Sequence, residues 1–123
     1  IDIISPEEVL LSDKVNSVTI PSYEGEMTIL SDHIPLITFL RPGIVKISGS
    51  KENKYFVEEG TVEFSENKLI ILSSTIINLN NLTKEKVSEI IDESKSQLNK
   101  ENLDDKKRYM LSHKVDCLSE INL

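Results

Sequence analysis

The hydrophobic pattern of this chain changes its period once, at Leu82, and this change limits the possible folds more than any other feature. Before Leu82, apolar and polar residues alternate over short segments, as in β-strands with one solvated face. After Leu82, apolar residues recur about every 3.6 positions, as in amphipathic helices. All four prolines and all four glycines lie in the first 60 residues, so the turn-forming residues belong to the first part. We therefore predict a β domain at residues 1–81 and a helical domain at residues 82–123.

Turn residues divide the first part into about ten short segments, a spacing typical of a sandwich or barrel. The predicted strands are 1–5, 9–12, 15–20, 26–30, 36–40, 43–48, 54–59, 61–65, 68–73 and 76–80. The unbroken apolar run at 69–72 predicts a strand that is buried on both faces. The predicted fold is thus a β-sandwich of about ten strands followed by a two-helix antiparallel hairpin.

The second part carries the signals of two helices. Thr83 is a predicted N-cap, and Leu82 and Val87 are placed to form a hydrophobic staple around it. Asn102 is the predicted cap of the second helix. We expect the helices to bury their apolar stripes against each other; the stripes are Val87, Ile90, Ile91 and Leu98, then Leu103, Met110, Leu111, Cys117, Leu118 and Ile121. Lys114 falls inside the second stripe, so either its side chain snorkels to solvent or this face packs on something outside the hairpin.

Composition excludes several classes of protein. Fourteen Lys and Arg against 21 Asp and Glu give a net charge of −7, which disfavours binding to nucleic acid. Cys117 is the only cysteine and lies in an apolar stripe, so it predicts a small core residue rather than a disulfide or a zinc ligand. No apolar run approaches the ~20 residues of a membrane span, and no signal peptide is apparent. We expect a soluble protein on the cytoplasmic side.

The segment 21–35 has the highest density of residues that could carry chemistry, among them Glu24, Glu26, Asp32 and His33. A general base or a metal ligand set could be built from them, but Gly25 and Pro35 indicate turns, and polar turn residues also serve partner surfaces. The chain has no Gly-x-Ser-x-Gly turn and no glycine-rich phosphate loop. We expect no catalytic, cofactor or metal site.

Five strings, in this order and at this spacing, resemble the epsilon subunits of F-type ATP synthases. They are Ser5-Pro6-Glu7-Glu8, Val18-Thr19-Ile20-Pro21, Glu24-Gly25-Glu26-Met27-Thr28, His33-Ile34-Pro35 and Leu40-Arg41-Pro42-Gly43-Ile44-Val45. The resemblance is strongest over 1–47, moderate over 55–76 and only architectural in the hairpin. The Gly-Glu-Met-Thr string is most similar to alphaproteobacterial members.

The resemblance implies a non-catalytic subunit of the rotating central stalk of a proton-translocating synthase. Such a subunit couples gamma to the c-ring, can regulate ATP hydrolysis, and reaches the alpha and beta subunits through its C-terminal helices. It is peripheral to the membrane, on the cytoplasmic face of the bacterial inner membrane. The contact with the c-ring and gamma is implied for Glu24, Gly25, Glu26 and His33.

The two charged positions of the family's ATP motif are replaced here. Members whose hairpin binds ATP carry Leu-Asp-x-x-Arg-Ala, and Thr83 and Lys86 stand here in place of the Asp and the Arg. Lysine lacks the planar fork that contacts phosphate at two points, so the departure argues against nucleotide sensing. The alternative to a stalk subunit is a stand-alone β-sandwich adaptor or ligand-binding module with a helical tail, and the two differ in the partners that co-purify with them.

Overall fold

The computed structural model describes residues 2–4, 9–11, 15–49, 52–100 and 103–121. These residues form ten β-strands and two α-helices, with a one-turn 3-10 helix at Leu79–Asn81. The strands are β1 (Asp2–Ile4), β2 (Val9–Leu11), β3 (Val15–Ser22), β4 (Gly25–Leu30), β5 (Leu36–Leu40), β6 (Gly43–Gly49), β7 (Asn53–Val57), β8 (Gly60–Ser65), β9 (Lys68–Ser73) and β10 (Ile76–Asn78). The helices are α1 (Lys84–Leu98) and α2 (Asp105–Glu120).

The strands form one sheet that folds over on itself into two layers. The first layer runs β10, β7, β6, β3 and β4, and the second runs β5, β8, β9, β1 and β2. The layers meet at the end of β3, where Ser22 pairs with Leu40. Neighbouring strands are antiparallel except β1 and β9, which are parallel. The predicted fold class is therefore confirmed.

The main core lies between the two layers. Its buried residues come from both of them: Val15, Val18, Ile20, Ile29, Val45, Ile47, Tyr55 and Val57 from the first layer, and Leu40, Val62, Phe64, Leu69 and Ile71 from the second. Prediction and structure differ at β9, where the apolar run was expected to be buried on both faces. Leu69 and Ile71 point into the core, but Leu72 is 47% exposed because nothing in the described part of the chain covers the outer face of this layer.

The hairpin packs on the outer face of the first layer. Ile44, Phe56 and Ile77 are paired across β6, β7 and β10, so their side chains share one face of the sheet. Phe56 is fully buried there in a second core, which also contains Val87 from the start of α1 and Leu118 from the end of α2. This arrangement confirms an antiparallel hairpin. The stripes were expected to bury against each other, with packing outside the hairpin left open for the face that carries Lys114, and in the structure they also cover the sheet.

The helix caps follow the sequence in one case and depart from it in the other. Thr83 caps α1 as predicted, with its hydroxyl accepting a hydrogen bond from the Lys86 amide. The N-cap of α2 is Asp104, two residues after the predicted cap, and its carboxylate accepts from the Lys107 amide at 2.7 Å. Asn102 itself lies outside the described residues. The predicted boundary between domains, at residue 81, coincides with the end of the 3-10 turn and stays a prediction.

Candidate partner interface

The turn between β3 and β4 carries three of the predicted interface residues. Tyr23 and Glu24 form the turn, and Gly25 follows it with a φ of +132°, a region that favours glycine. A Cβ at Gly25 would meet no atom within 4 Å, so glycine is needed there for the backbone angle and not for space. The Ser22 hydroxyl accepts a hydrogen bond from the Glu24 amide at 3.2 Å and helps to fix the turn.

Two carboxylates from this turn project into solvent. Glu24 and Glu26 are exposed, and Glu26 lies 3.8 Å from the ammonium group of Lys46 on β6. Both members of this ion pair are largely exposed, so the pair contributes little to stability. The carboxylates are therefore available to a partner at small cost.

His33 lies at the opposite end of β4 from Glu26. The strand from Gly25 to Leu30 spans about 16 Å of extended chain, and His33 is three residues further on. The structure thus brings Glu24, Gly25 and Glu26 together but does not bring His33 to them. Glu26 and His33 are only seven positions apart in the sequence, but they are far apart in space because most of the intervening residues form one extended strand.

Local contacts fix the loop that carries His33. Asp32, at a φ of +63°, and Asn67 clasp each other: the Asp32 amide donates to the Asn67 side chain at 2.8 Å, and the Asn67 amide group donates back at 3.0 Å. The His33 Nδ1 lies 2.6 Å from the Ile34 carbonyl. Because a carbonyl can only accept, Nδ1 carries a proton, and in the neutral ring Nε2 is an acceptor for a partner.

A second surface, which the sequence reading did not single out, covers the outside of the second layer. Two rows of paired residues lie on it: Phe39, Thr61 and Leu72, then Ile37, Glu63 and Ile70. Ile37 is 73% exposed and Phe39 64% exposed, which is unusual for large apolar side chains that lie side by side. We call these two rows the outer apolar face. The signal in the sequence was the run Leu36, Ile37, Thr38, Phe39 and Leu40, which is apolar on both faces of one strand.

The two positions of the ATP motif serve a structural purpose. The Thr83 hydroxyl accepts from the backbone amide of Lys86 at 3.1 Å, so the pair closes the first turn of α1. Both residues are exposed. In the described part of the chain, no cluster of three or more His, Cys, Asp or Glu side chains could hold a metal ion.

Cys117 is half-buried in the second core, as expected for a small core residue. Burial, together with the nearby Glu120 carboxylate, raises the pKa of its thiol to about 11, although Lys46 acts in the opposite direction. The thiol is therefore protonated, and unreactive, near neutral pH. Neither helix of the described ranges has the length and apolarity that crossing a bilayer would take.

Comparison with known proteins points to a single family. A family model described as ATP synthase, Delta/Epsilon chain, beta-sandwich domain matches residues 1–79. The ATP synthase epsilon chain of Pelagibacter ubique is 42% identical over 124 aligned positions, covering 99% of this chain and 95% of the relative. That of Jannaschia sp. is 39% identical over 97 positions, covering 78% of this chain and 74% of the relative. These matches also confirm the likeness to alphaproteobacterial members.

Two solved structures share the fold. A chain of the Euglena gracilis mitochondrial ATP synthase (OSCP/F1/c-ring) superposes with a TM-score of 0.69 at 20% identity, covering 96% of this chain and 75% of that chain. A chain of the Tetrahymena thermophila mitochondrial ATP synthase (central stalk/c-ring) gives 0.60 at 16% identity, covering 97% and 92%. With the match of the sandwich domain and the identity over nearly the whole length, this chain belongs to the ATP synthase epsilon chain family.

Proposed function

We propose that this chain is a non-catalytic rotor subunit of a proton-translocating F-type ATP synthase, which couples the gamma subunit to the c-ring. Membership of the epsilon chain family supports the proposal, and the outer apolar face is the observation that carries it. A member of a multi-subunit complex needs a large exposed apolar surface that a monomeric protein would not keep. The chain itself is not catalytic; in this family the catalytic sites belong to another subunit.

Gamma is the partner proposed for the outer apolar face. Stable interfaces have an apolar centre rich in aromatic and aliphatic side chains, with a polar rim. Phe39 and Ile37 supply such a centre on two adjacent rows, and Glu63 and Thr61 lie beside them. His33, in the loop that precedes β5, lies with its ring edge-on to that of the core residue Phe64, at 6.1 Å between centroids, and its Nε2 can accept a hydrogen bond from gamma.

The c-ring is the partner proposed for the β3–β4 turn. Glu24 and Glu26 are exposed carboxylates on a turn that Gly25 and Ser22 hold in place, which suits contact with polar loops rather than with an apolar surface. Charges at the rim of an interface set orientation and partner choice more than affinity. Two separate surfaces on one packed sandwich allow torque to pass from gamma to the c-ring through a body of low compressibility.

The remaining contacts belong to the same proposal. The exposed trio Lys106, Lys107 and Arg108 on α2 is available to acidic surfaces of the alpha and beta subunits. Through these partners the chain would be held at the membrane as a peripheral component, on the cytoplasmic face of the bacterial inner membrane. No role in nucleotide binding is assigned to the hairpin, since Thr83 and Lys86 do not supply the Asp and Arg of the motif.

A pull-down from detergent-solubilised membranes tests the proposal. Tagged wild-type chain should recover gamma, alpha, beta and the c-subunit. The double substitution Ile37→Ser with Phe39→Ser should recover little gamma, because it removes the apolar centre while leaving the core intact. Glu89→Ser with Asp92→Ser, on the exposed side of α1, is the matched control and should recover gamma normally. Recovery of the wild-type chain without gamma, alpha and beta would refute the proposal.

A further inference from the structure

Four side chains from three parts of the sequence meet where α2 lies against the β3–β4 turn. Tyr23 comes from the turn, Arg41 from the connection between β5 and β6, and Tyr109 and His113 from adjacent turns of α2. The Tyr109 ring lies between two others, with its centroid 4.7 Å from that of Tyr23 and 4.4 Å from that of His113. The proposed function uses none of these contacts.

The hydrogen bonds in this cluster have a fixed direction. The Tyr109 hydroxyl donates to the Tyr23 carbonyl at 2.6 Å, and that carbonyl can only accept. The single hydroxyl proton is then used, so the oxygen accepts from the Arg41 guanidinium at 3.2 Å. A chain of donors therefore runs from Arg41 through Tyr109 to the backbone of the turn.

His113 completes the cluster, and its protonation state matters. Its Nε2 lies 3.5 Å from Nη1 of Arg41, and a guanidinium has donors only. Nε2 can accept from Arg41 only when it carries the lone pair, that is, when the ring is neutral. A protonated ring would place an N–H, and a second positive charge, against the guanidinium.

The surroundings of His113 favour the neutral ring. Burial lowers the pKa of His113 below its ordinary 6.5, and the Arg41 charge lowers it further. Asp116, one turn along α2, acts in the opposite direction and is outweighed. Glu26 from β4 and Glu120 from α2 line the same groove as Arg41 and Asp116, but neither shifts the pKa of the ring.

We propose that Arg41, Tyr109 and His113 form an acid-sensitive latch between α2 and the Tyr23–Glu24 turn. The latch holds α2 against the turn while His113 is neutral, and α2 separates from the turn when His113 takes up a proton. The released helix exposes His113 to water, where it binds protons with its ordinary affinity. Proton uptake therefore favours the released state. Docking is at full strength above pH 6.5 and weakens as the pH falls below that value.

The latch would link the hairpin to the rest of the rotor. Tyr23 directly precedes Glu24, Gly25 and Glu26, so the hydrogen bond from Tyr109 acts on the turn that carries the proposed c-ring contact. This consequence rests on the proposed function, whereas the latch itself does not. Undocking of α2 would loosen the turn, and a partner that holds the turn would stabilise the docked helix by the same free energy.

Electron paramagnetic resonance on the full-length chain tests the release. Nitroxides at Lys54→Cys and Glu120→Cys, in a Cys117→Ser background, report docking because both exposed positions line the groove between α2 and the sheet. We expect one short distance at about pH 7.5, and a longer one whose population rises about threefold or more by about pH 5.5. In His113→Gln, which keeps an acceptor for Arg41 but does not titrate, the distances should not change with pH. If that variant fails to fold, Arg41→Gln replaces it, and the pH response should shrink because the repelling charge is gone.

The coupling to the turn has its own readout. Backbone amide NMR signals of Glu24 and Gly25 should change with the same midpoint as the distance. Tyr109→Phe keeps the ring and removes the hydroxyl, so its turn signals should lose their pH dependence. Nitroxide distances that do not change with pH, or that change equally in His113→Gln, would overturn the latch. Amide signals of Glu24 and Gly25 that stay constant while the distance changes would overturn the coupling. Both readouts use the isolated chain, so their failure is distinguishable from a failure of the pull-down.

Discussion

Lys114 on α2 makes an ion pair with Glu58, the residue that follows β7, and the two side chains are only 21% and 22% exposed. The Thr75 hydroxyl donates a second hydrogen bond to the same carboxylate at 2.7 Å. Lys114 stands inside an apolar stripe because that face of α2 lies against the sandwich and not only against α1. Of the two interpretations that the sequence left open, docking outside the hairpin is the one that the structure bears out.

This ion pair predicts a pH-dependent part of the stability. Burial alone would raise the pKa of Glu58, but the hydrogen bonds from Lys114 and Thr75 and the Lys114 charge outweigh it, so the pKa lies below the ordinary 4.5. A lowered pKa stabilises the fold above pH 4.5, and the contribution is lost as the pH falls through the lowered value. Glu58→Gln should therefore reduce the free energy of unfolding by about 1 kcal/mol at pH 7. Urea denaturation from pH 7 to 3.5 checks this, and a deficit that does not shrink in acid would contradict it.

Phe56 and Phe39 offer a matched comparison between a covered and an uncovered face. Phe56 is fully buried between the sheet and the hairpin, whereas Phe39 lies on the outer apolar face. Phe56→Ala should cost about 3–4 kcal/mol of unfolding free energy, because it removes apolar contacts and leaves a cavity. Phe39→Ala should change stability by less than about 0.5 kcal/mol. Thermal and urea unfolding of both variants measure the difference, and equal costs would mean that the hairpin does not cover the sheet in solution.

Much of the fold could be predicted because its signals are local. Alternation with period two and closely spaced turn residues located all ten strands, and Thr83 located the start of α1 to the residue. The cap of α2 was misplaced because Asn102 and Asp104 both have capping side chains and lie two positions apart. Only the geometry at Asp104, extended and bonded to the Lys107 amide, distinguishes them.

The contacts between parts of the chain could not be predicted, since nothing local encodes them. Arg41 and His113 are 72 positions apart, and Tyr23 and Tyr109 are 86 apart. Ile44 and Phe56 interrupt the polar side of their strands, and in the structure the hairpin covers this side. The same kind of signal at Ile37 and Phe39 indicates an uncovered face, so sequence alone cannot say whether the cover comes from this chain or from a partner.

The placement of Glu26 and His33 on different surfaces predicts that their effects are independent. Each of Glu26→Gln and His33→Ala should weaken the coupling of proton flow to ATP synthesis in membrane vesicles, by an amount equivalent to about 1 kcal/mol of rim contact. Because about 13 Å of extended strand, from Glu26 to Leu30, lies between the two residues, the double variant should show the sum of the two losses. Glu89→Gln, on the exposed side of α1, is the control. Unchanged coupling in the double variant at normal assembly would show that neither residue touches a partner.

Removal of the hairpin is expected to leave a folded sandwich that self-associates through a newly exposed apolar surface. Every main-core residue in the described part of the chain lies between Val15 and Ile76, so a chain that ends at Asn81 keeps the packing between the two layers. It loses the cover over Ile44, Phe56 and Ile77, which become a row of apolar side chains facing water. Circular dichroism should show intact β-structure, and sedimentation should show self-association.

Adding Phe56→Ser to the truncated chain separates these two effects, because it removes the centre of the exposed row and leaves the main core untouched. The doubly altered chain should be monomeric, folded and able to bind gamma through the outer apolar face, which lies on the other layer. ATP hydrolysis by the assembled complex should change little on truncation, since Thr83 and Lys86 stand in place of the Asp and the Arg of the ATP motif. An unfolded truncated chain would refute the modular interpretation of residues 1–81, and a several-fold rise in hydrolysis would show that the hairpin is a strong inhibitor of the enzyme.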